Sequence, residues 1–124
     1  MTNRLLQFGD VVTVRFAQQN PQGREQEGYR PAIVVGFPIR LGVPRFQLII
    51  VIPITTDRGQ AWAIASPDLY PRFPARIAGL RSASIALLDQ VRAIDVNRIV
   101  EYQGKLTPEQ YAPILNGLQC MISA

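Results

Sequence analysis

The residue types that carry most enzyme chemistry are scarce in this chain, and their scarcity limits what it can do. Its 124 residues include 12 Arg and one Lys, but a single Cys and no His. One chain therefore cannot form a Ser-His-Asp triad, a Cys-His pair, a structural zinc site or a disulfide framework. Any catalysis has to come from Arg, carboxylates, hydroxyls or amides.

Arg30 and Thr55 are the residues best placed to bind a phosphate. Arg30 lies where a polar loop becomes a buried strand, which fixes its backbone while its guanidinium can face the loop. Thr55 ends a second core strand, so its hydroxyl can reach the same phosphate, whereas Thr56 should point to the opposite face. Alternatively, Arg30 pairs with Glu25 or Glu27, and Thr55 reflects ordinary strand propensity.

The cationic excess is concentrated in the middle of the chain. Net charge is +4, and positions 38–83 carry six Arg against two acidic residues, while 1–37 and 84–124 carry +1 and −1. Guanidinium groups match phosphate geometry bidentately, so this region suits nucleic acid. A genome that favours Arg codons would give the same composition.

No segment of the sequence is typical of export or of a membrane span. Residues 1–7 have neither the apolar core nor the cleavage site of a signal peptide. The longest apolar run, 48–54, is far shorter than the ~20 residues that cross a bilayer. We therefore expect one cytoplasmic domain over 1–124, with no membrane association.

Apolar patterning predicts five to seven short, mostly antiparallel strands. Two nearly continuous apolar runs, 30–37 and 46–55, are typical of neighbouring strands buried on both faces. The other expected strands cover 11–16, 84–94 and 99–102, and the long one over 84–94 would place Leu88, Gln90 and Arg92 on one face.

Polar segments rich in Gly and Pro separate these strands. Residues 17–29 should form a long exposed loop, a type that is often functional, and 38–45 a hairpin loop. We expect a second polar loop over 57–62, and Pro67, Pro71 and Pro74 should keep the next stretch irregular or at a sheet edge. Asp95 should cap one helical turn over 95–98.

A terminal helix should begin after Thr107, because Thr107 as cap, Pro108 at the first position and Gln110 form a start signal. Its apolar stripe predicts packing on the core and consists of Tyr111, Ile114, Leu115, Leu118, Met121 and Ile122. Pro113 should kink or split this helix. The result is a mainly β fold, most simply a small barrel closed by a C-terminal helix.

Four sequence blocks resemble the MazF/PemK family of toxin endoribonucleases. They are GDVV at 9–12, EQEGYRPAIVV at 25–35, VIPIT at 51–55, and SIALLDQVRAID at 84–95 followed by Arg98-Ile99. All four occur in the family's order over nearly the whole chain. The resemblance departs from compact members in the Pro-rich segment 60–74 and at Pro113, which affects loop geometry and hence the cleaved sequence.

The resemblance implies a partly open barrel of the Src-homology-3 type, a homodimer, and inhibition by an acidic, MazE-like antitoxin. It also implies sequence-specific cleavage of single-stranded RNA, usually messenger RNA, without a metal or other cofactor. Arg30 and Thr55 fall on the family's catalytic Arg and Thr, and Glu25 aligns better than Glu27 with its acidic position.

RNA can be cleaved by its own 2′-hydroxyl if the enzyme accepts that proton, neutralises the phosphorane and lets the 5′-oxygen leave protonated. The expected products carry a 2′,3′-cyclic phosphate and a 5′-hydroxyl. Arg30 would clamp the phosphate with Thr55, and Glu25 or Glu27 would accept the proton. Both carboxylates also fit solvated loop charges, so the base stays unassigned between them.

Further side chains are candidates for RNA contacts. Tyr29 and Trp62 could stack on unpaired bases, or form small satellite cores. Gln90 could read a base edge or bind the antitoxin, or lie with Ser84 and Arg92 on the polar face of a sheet. The remaining candidates are Arg24, Arg45 and Arg58 along the RNA backbone, with Thr56 beside Thr55.

Two other functions share this fold class. One is a gyrase poison of the CcdB type, but that relative acts through C-terminal Trp-Gly-Ile residues, whereas this chain ends Met121-Ile122-Ser123-Ala124. The other is a barrel that binds nucleic acid or a protein without cleaving anything. Cys120, on the terminal helix, is expected to be a buried small hydrophobe or a free thiol.

Overall fold

A computed structural model describes residues 5–123 and contains one open sheet of seven strands, all of whose pairs are antiparallel. The strands are β1 (Asp10–Phe16), β2 (Gly28–Gly36), β3 (Leu48–Thr56), β4 (Arg72–Phe73), β5 (Ser84–Ala86), β6 (Arg92–Asp95) and β7 (Ile99–Lys105). The helices are α1 (Ala61–Ala65) and α2 (Pro108–Ile122). Strand order is β4-β5-β3-β2-β1-β7, and β6 also pairs with β3. The expected mainly β architecture is confirmed.

The two apolar runs pair as neighbours at the centre of the sheet, as predicted. In β2 and β3, Ile33 lies opposite Ile52 and Val34 opposite Val51, and all four are fully buried. Alternating side chains feed two apolar clusters, because successive residues of a strand point to opposite faces. One contains Val11, Ile33, Ile52, Ile54, Leu88 and Ile114, and the other contains Val12, Val14, Val34, Ile49, Val51 and Ile99.

The ladder between β2 and β3 ends where two prolines lie. Ala32 opposite Pro53 is the last pair, and Pro31 comes next on β2. Pro31 has no N–H to donate to β3, whereas the Pro53 carbonyl accepts from the Leu87 N–H on the other edge of β3. Beyond this point β3 keeps only its other neighbour, β5, which pairs with Ile54 to Thr56 along the opposite edge of β3. The ends of β2 and β3 therefore separate.

The prediction of one continuous strand over 84–94 is wrong. β5 and β6 both run antiparallel along β3, but the five residues 87–91 lie opposite only two residues of β3, between the pairs Ala86–Ile54 and Arg92–Val51. The excess forms a 3₁₀ turn over Leu88–Gln90. This turn buries Leu88 in the core and moves Gln90 off the sheet face that the alternation had assigned to it.

The connection after β3 also differs in part from the expected loop. Residues 57–60 are irregular, but Ala61 and Trp62 begin helix α1, whose Ala63 is completely buried with Ile85 and Leu87. Burial of one small helical residue outweighed the polar pattern of the preceding turn. The proline-rich stretch behaves as predicted, since β4 is a two-residue strand at the edge of the sheet.

Helix α2 begins as the sequence predicts. The Thr107 hydroxyl accepts a hydrogen bond from the Gln110 backbone N–H, and the Gln110 side chain accepts one from the Thr107 N–H, which completes a capping box. The helix continues from Pro108 to Ile122 without the expected split, because Pro113 removes only one hydrogen bond, to the Glu109 carbonyl. Asp95 likewise caps its turn by accepting from the Asn97 N–H.

The apolar stripe of α2 is only partly buried. Ile114 is completely buried, and Tyr111 and Leu118 pack against the same core. The other stripe residues are exposed, at 41% for Leu115, 42% for Met121 and 76% for Ile122, and Cys120 is an exposed free thiol. Within the described part of the chain, neither helix has the length and hydropathy to cross a membrane.

A sharp reversal presses the segment before β5 against β7. Arg76, Ala78 and Gly79 all have positive φ, with 73°, 51° and 79°. A Cβ on Gly104 would lie 2.5 Å from the Ala78 carbonyl carbon, and one on Gly79 would lie 2.4 Å from the Gln103 oxygen. Only glycine permits backbones to approach this closely. The contact fixes residues 79–82 beside β7.

We predict that Gly104→Ala lowers the free energy of unfolding by about 1–3 kcal/mol, because backbone cannot move aside as a flexible side chain can. Gly42→Ala is the matched control, since nothing lies within 4 Å of its added Cβ. Urea unfolding measures both. Equal stability of the two variants would contradict the close packing of this reversal on β7.

Candidate functional site

A cavity of about 510 Å³ opens where β2 and β3 separate. It is lined by the strand ends at 29–31 and 54–56, by residues 79–82 with Ser84, and by residues 101–103 of β7. Four separate parts of the chain thus meet at the gap between two strands. Backbone at strand ends holds its side chains in defined directions, which is the usual basis of a binding site.

Arg30 and Thr55 both line this cavity, from opposite sides of the gap. The register that places Ala32 opposite Pro53 would, continued by two residues, place Arg30 opposite Thr55 on the same face. Arg30 is exposed, and its Nε donates to the Glu27 carbonyl at 3.2 Å. That bond orients the guanidinium through one of its five N–H groups.

The two loop carboxylates do not line the cavity. Glu27 accepts a hydrogen bond from the Gln19 backbone N–H at 2.6 Å, within the loop. The Glu25 carboxylate lies over Gly23, where an added Cβ would be 2.4 Å from its Oε2. The carboxylate that does line the cavity belongs to Glu101 of β7, which lies opposite Thr13 of β1. Sequence reasoning missed Glu101.

Other cavity residues were only partly foreseen. Tyr29, Thr56 and Ser84 line the cavity as candidates from the sequence, although Tyr29 lies on β2 rather than in a loop and is 65% exposed. Thr56 was expected on the face opposite Thr55, but at the end of β3 both residues line the same cavity. The Ser84 hydroxyl donates to the Ser82 carbonyl at 2.8 Å. The residues that sequence reasoning missed are Arg81, Ser82, Glu101, Tyr102 and Gln103. The signal in the sequence that could have found them is the Arg81-Ser82 pair, which follows the turn at 76–79.

The remaining candidates lie outside the cavity. Trp62 is on helix α1 and packs edge-on against Tyr70, with ring centroids 4.8 Å apart. Tyr70 donates to Asp89 at 2.6 Å, and this bond raises the pKa of its hydroxyl. Arg45 stacks over Phe46. Arg58 lies in the turn after β3.

Gln90 and Arg24 are linked to each other instead of to the cavity. The Gln90 side-chain oxygen accepts from the Gln26 N–H at 2.8 Å, and its nitrogen donates to the Arg24 carbonyl at 3.4 Å. The Gln90 amide thus binds the backbone of the loop at 17–27. The sequence-based placement on a sheet face did not anticipate this contact.

A second cavity, of about 710 Å³, shares Tyr29 and Arg30 with the first. Arg15 of β1 and Arg98 line it too, and Arg98 donates to the Arg15 carbonyl at 3.5 Å. Three Arg residues therefore line it, against the single acidic residue Glu27. Such a set favours the binding of successive phosphates of one polyanion, because each guanidinium can pair with a phosphate in fork geometry.

Asp57 holds the turn that follows Thr55 and Thr56. Its carboxylate accepts hydrogen bonds from Arg72 Nε at 2.7 Å and from the Gly59 N–H at 2.9 Å. The Arg72 hydrogen bond and then the Gly59 bond lower the pKa of Asp57. In residues 5–123, no three His, Cys, Asp or Glu side chains are grouped so as to hold a metal ion.

The family model for the PemK-like, MazF-like toxin of type II toxin-antitoxin systems matches residues 7–122. This chain belongs to that family. The fold agrees with MazF from Deinococcus radiodurans, at a TM-score of 0.73 and 23% identity over 98% of this chain and 100% of that one. No curated protein sequence matches the chain.

Two solved toxin–antitoxin complexes share the fold of this MazF-like toxin. The MazE-MazF complex from Deinococcus radiodurans matches with a TM-score of 0.67 and 24% identity, over 97% of each chain. An endoribonuclease bound to its cognate antitoxin, from a mycobacterial species, matches with a TM-score of 0.65 and 15% identity, over 94% of this chain and 93% of that one.

We predict that Asp57→Asn lowers the melting temperature at pH 7 and that this difference shrinks as pH falls below about 4. A carboxyl whose folded pKa is depressed contributes stability above its unfolded pKa, and loses it as pH falls through the folded pKa. Asp68→Asn, which changes an exposed carboxylate, is the control. A pH-independent difference would show that the charge of Asp57 is not what stabilises the turn.

Proposed function

We propose that this MazF-like toxin is a metal-independent endoribonuclease that cleaves single-stranded RNA, chiefly messenger RNA, at a short sequence. The observation that carries the proposal is that Arg30 and Thr55 line one cavity from the two strand ends that separate at Pro31 and Pro53. A guanidinium and a hydroxyl facing one space suit a phosphate that gains negative charge during reaction.

In the proposed reaction the RNA supplies its own nucleophile. The 2′-oxygen forms a bond to phosphorus while its proton moves to a carboxylate, and the bond from phosphorus to the 5′-oxygen then breaks. Arg30 neutralises the phosphorane, and the Thr55 hydroxyl donates a hydrogen bond to one of its oxygens. Water in the open cavity protonates the departing 5′-oxygen, which leaves a 2′,3′-cyclic phosphate and a 5′-hydroxyl.

We assign the proton acceptor to Glu101, because it lines the cavity whereas Glu25 and Glu27 do not. A general base must lie within hydrogen-bond reach of the proton it removes, so position comes before identity. Glu27 is already an acceptor for the Gln19 N–H. In this proposal the loop carboxylates shape the loop rather than take the proton.

The RNA would extend from the first cavity across Arg30 into the second. Arg15 and Arg98 would bind phosphates there, and Tyr29 would stack on an unpaired base, worth about 1–3 kcal/mol. Thr56 and Ser84 would contact the nucleotide at the cleavage point. Arg24, Arg58 and Trp62 lie outside the first cavity, and we propose that they contact only flanking nucleotides.

We propose two protein partners and a cellular location. The antitoxin complexes of similar fold favour an acidic, MazE-like antitoxin for this toxin too. Exposed apolar side chains on the loop between β2 and β3, with Leu41 at 97%, Val43 at 98% and Phe46 at 59%, favour a homodimer. The site of action is the cytoplasm, where messenger RNA is translated.

We predict that Arg30→Ala reduces RNA cleavage at least about 100-fold and abolishes growth arrest on expression, because the developing phosphorane loses its cation. The assay uses purified protein, a single-stranded RNA pool and EDTA, with product ends identified by mass spectrometry. Arg76→Asn, which removes an exposed Arg outside both cavities and keeps a residue type that tolerates left-handed backbone, should cleave normally. Unchanged thermal unfolding verifies that Arg30→Ala is folded.

Persistent cleavage by Arg30→Ala would place the site elsewhere. Activity that EDTA abolishes and magnesium restores would overturn the metal-independent chemistry. No cleavage and no growth arrest by the wild-type chain would favour a binding barrel, whereas growth arrest without RNA cleavage would favour a gyrase poison.

We also predict that the antitoxin and RNA compete. An acidic, disordered antitoxin tail should occupy the Arg-lined cavities and cover Arg30, so its affinity should fall as salt rises. Calorimetry at several salt concentrations, with and without an RNA oligonucleotide carrying 2′-deoxy substitutions that block cleavage, measures both effects. Simultaneous binding without loss of either affinity would show that the antitoxin uses another face.

A further inference from the structure

The loop at 17–27 joins β1 to β2 beside both cavities and has no helix or strand of its own. Its residues 20–25 are all exposed, so it contributes no core that would fix its shape. A loop of this length loses much conformational entropy when it holds a single conformation. Besides the bonds of Gln19 to Glu27 and to the Ala17 carbonyl within the loop, contacts from elsewhere in the chain fix its shape.

Gln90 and Arg92 bind the loop at one residue, Gln26. The Gln26 N–H donates to Gln90 Oε1 at 2.8 Å, and the Gln26 carbonyl accepts from Arg92 Nη2 at 2.7 Å. Gln90 also donates to the Arg24 carbonyl at 3.4 Å. Both polar groups of the Gln26 backbone are thus taken by side chains more than 60 positions away in sequence.

Arg92 also contacts the residue at which the loop begins. Its guanidinium carbon lies 4.2 Å from the centroid of the Phe16 ring, and Phe16 is the last residue of β1. A guanidinium over an aromatic face is attracted by the ring quadrupole. One side chain therefore joins the start of the loop, at Phe16, to its end, at Gln26.

This arrangement is costly for Arg92. Burial lowers the pKa of its guanidinium, an effect that the Glu25 carboxylate opposes, and the buried Nε has no hydrogen-bond partner in residues 5–123. An exposed Arg would avoid both costs. What Arg92 gains in this position is the contact with both ends of the loop.

We propose that Gln90 and Arg92 are positioning residues that hold the loop at 17–27 in one conformation and thereby set the sequence selectivity of RNA cleavage. The selectivity half rests on the proposed function. A rigid loop beside the cavities cannot move to accommodate a different base, so wrong bases lose contacts, whereas a loose loop adapts to several. Gln90 then acts on RNA through the loop backbone and not through a base edge.

The first arm of the test measures the loop without RNA. In Arg92→Met, trypsin should cut after Arg24 about tenfold faster than in wild type, because two contacts that keep the loop closed are lost. Trypsin does not cut the Arg30-Pro31 bond, so cleavage after Arg24 reports on the opening of the loop at 17–27. Gln90→Met is the second variant, which removes the Gln26 and Arg24 bonds while retaining the Phe16 contact.

Arg40→Met is the matched control, because Arg40 also stacks on a phenylalanine, 5.1 Å from the Phe8 ring centroid, at a place remote from the loop in sequence. Trypsin should cut Arg40→Met after Arg24 at the wild-type rate. Arg92→Lys, which keeps a cation over Phe16 and a donor toward Gln26, should recover much of the protection. Rescue by Lys separates positioning from a general loss of stability.

The second arm measures selectivity. The preferred sequence is first found on a random RNA pool, and the cleavage rate is then compared with that of its single-base variants. In Arg92→Met and Gln90→Met, the cleavage rate of the preferred RNA divided by that of its single-base variants should fall about tenfold. Arg40→Met should retain the wild-type ratio.

Three results would overturn the proposal. They are unchanged trypsin protection in both Arg92→Met and Gln90→Met, a loosened loop with unchanged selectivity, or equal loosening in Arg40→Met. Absence of RNA cleavage by the wild-type protein would refute the proposed function and with it the selectivity half. The trypsin arm would still decide whether Gln90 and Arg92 hold the loop.

Discussion

The site depends on a single constraint in the sheet: β2 cannot stay paired with β3 along its whole length. Pro31 follows Ala32–Pro53, the last pair of the β2–β3 ladder, and has no N–H to donate to β3. β3 continues beside β5 on its other edge, and the gap between the ends of β2 and β3 becomes the 510 Å³ cavity. Arg30 is next to Pro31 and Thr55 is two residues after Pro53, so both border this gap.

The 3₁₀ turn over Leu88–Gln90 connects parts of the molecule that lie far apart in sequence. Leu88 packs in the core with Ile114 of helix α2, and an added Cβ on Gly117 would meet it at 2.4 Å. Two residues on, Gln90 binds the loop at 17–27. This short turn thereby contacts helix α2 through Leu88 and the loop at 17–27 through Gln90, so the loop takes its position from the core.

The Arg side chains of this protein divide between structural contacts and the candidate site. Arg72 pairs with Asp57, Arg40 and Arg45 stack on phenylalanines, and Arg92 binds the loop. Around the two cavities lie Arg15, Arg30, Arg81 and Arg98. A high Arg content is therefore poor evidence for any one contact, whereas a group of guanidiniums around one space favours a polyanion.

The sequence alone was enough to predict that β2 and β3 are neighbours, the capping box at Thr107 and the strand-end positions of Arg30 and Thr55, because these depend on local patterns of apolar residues, caps and prolines. The site as a whole required tertiary structure. Glu101 enters through pairing of β7 with β1, Arg81 through a left-handed reversal, and Gln90 leaves its expected face because five residues must fit opposite two. Periodicity reports which face a residue takes within a strand, but a register shift or bulge depends on strands that are distant in sequence.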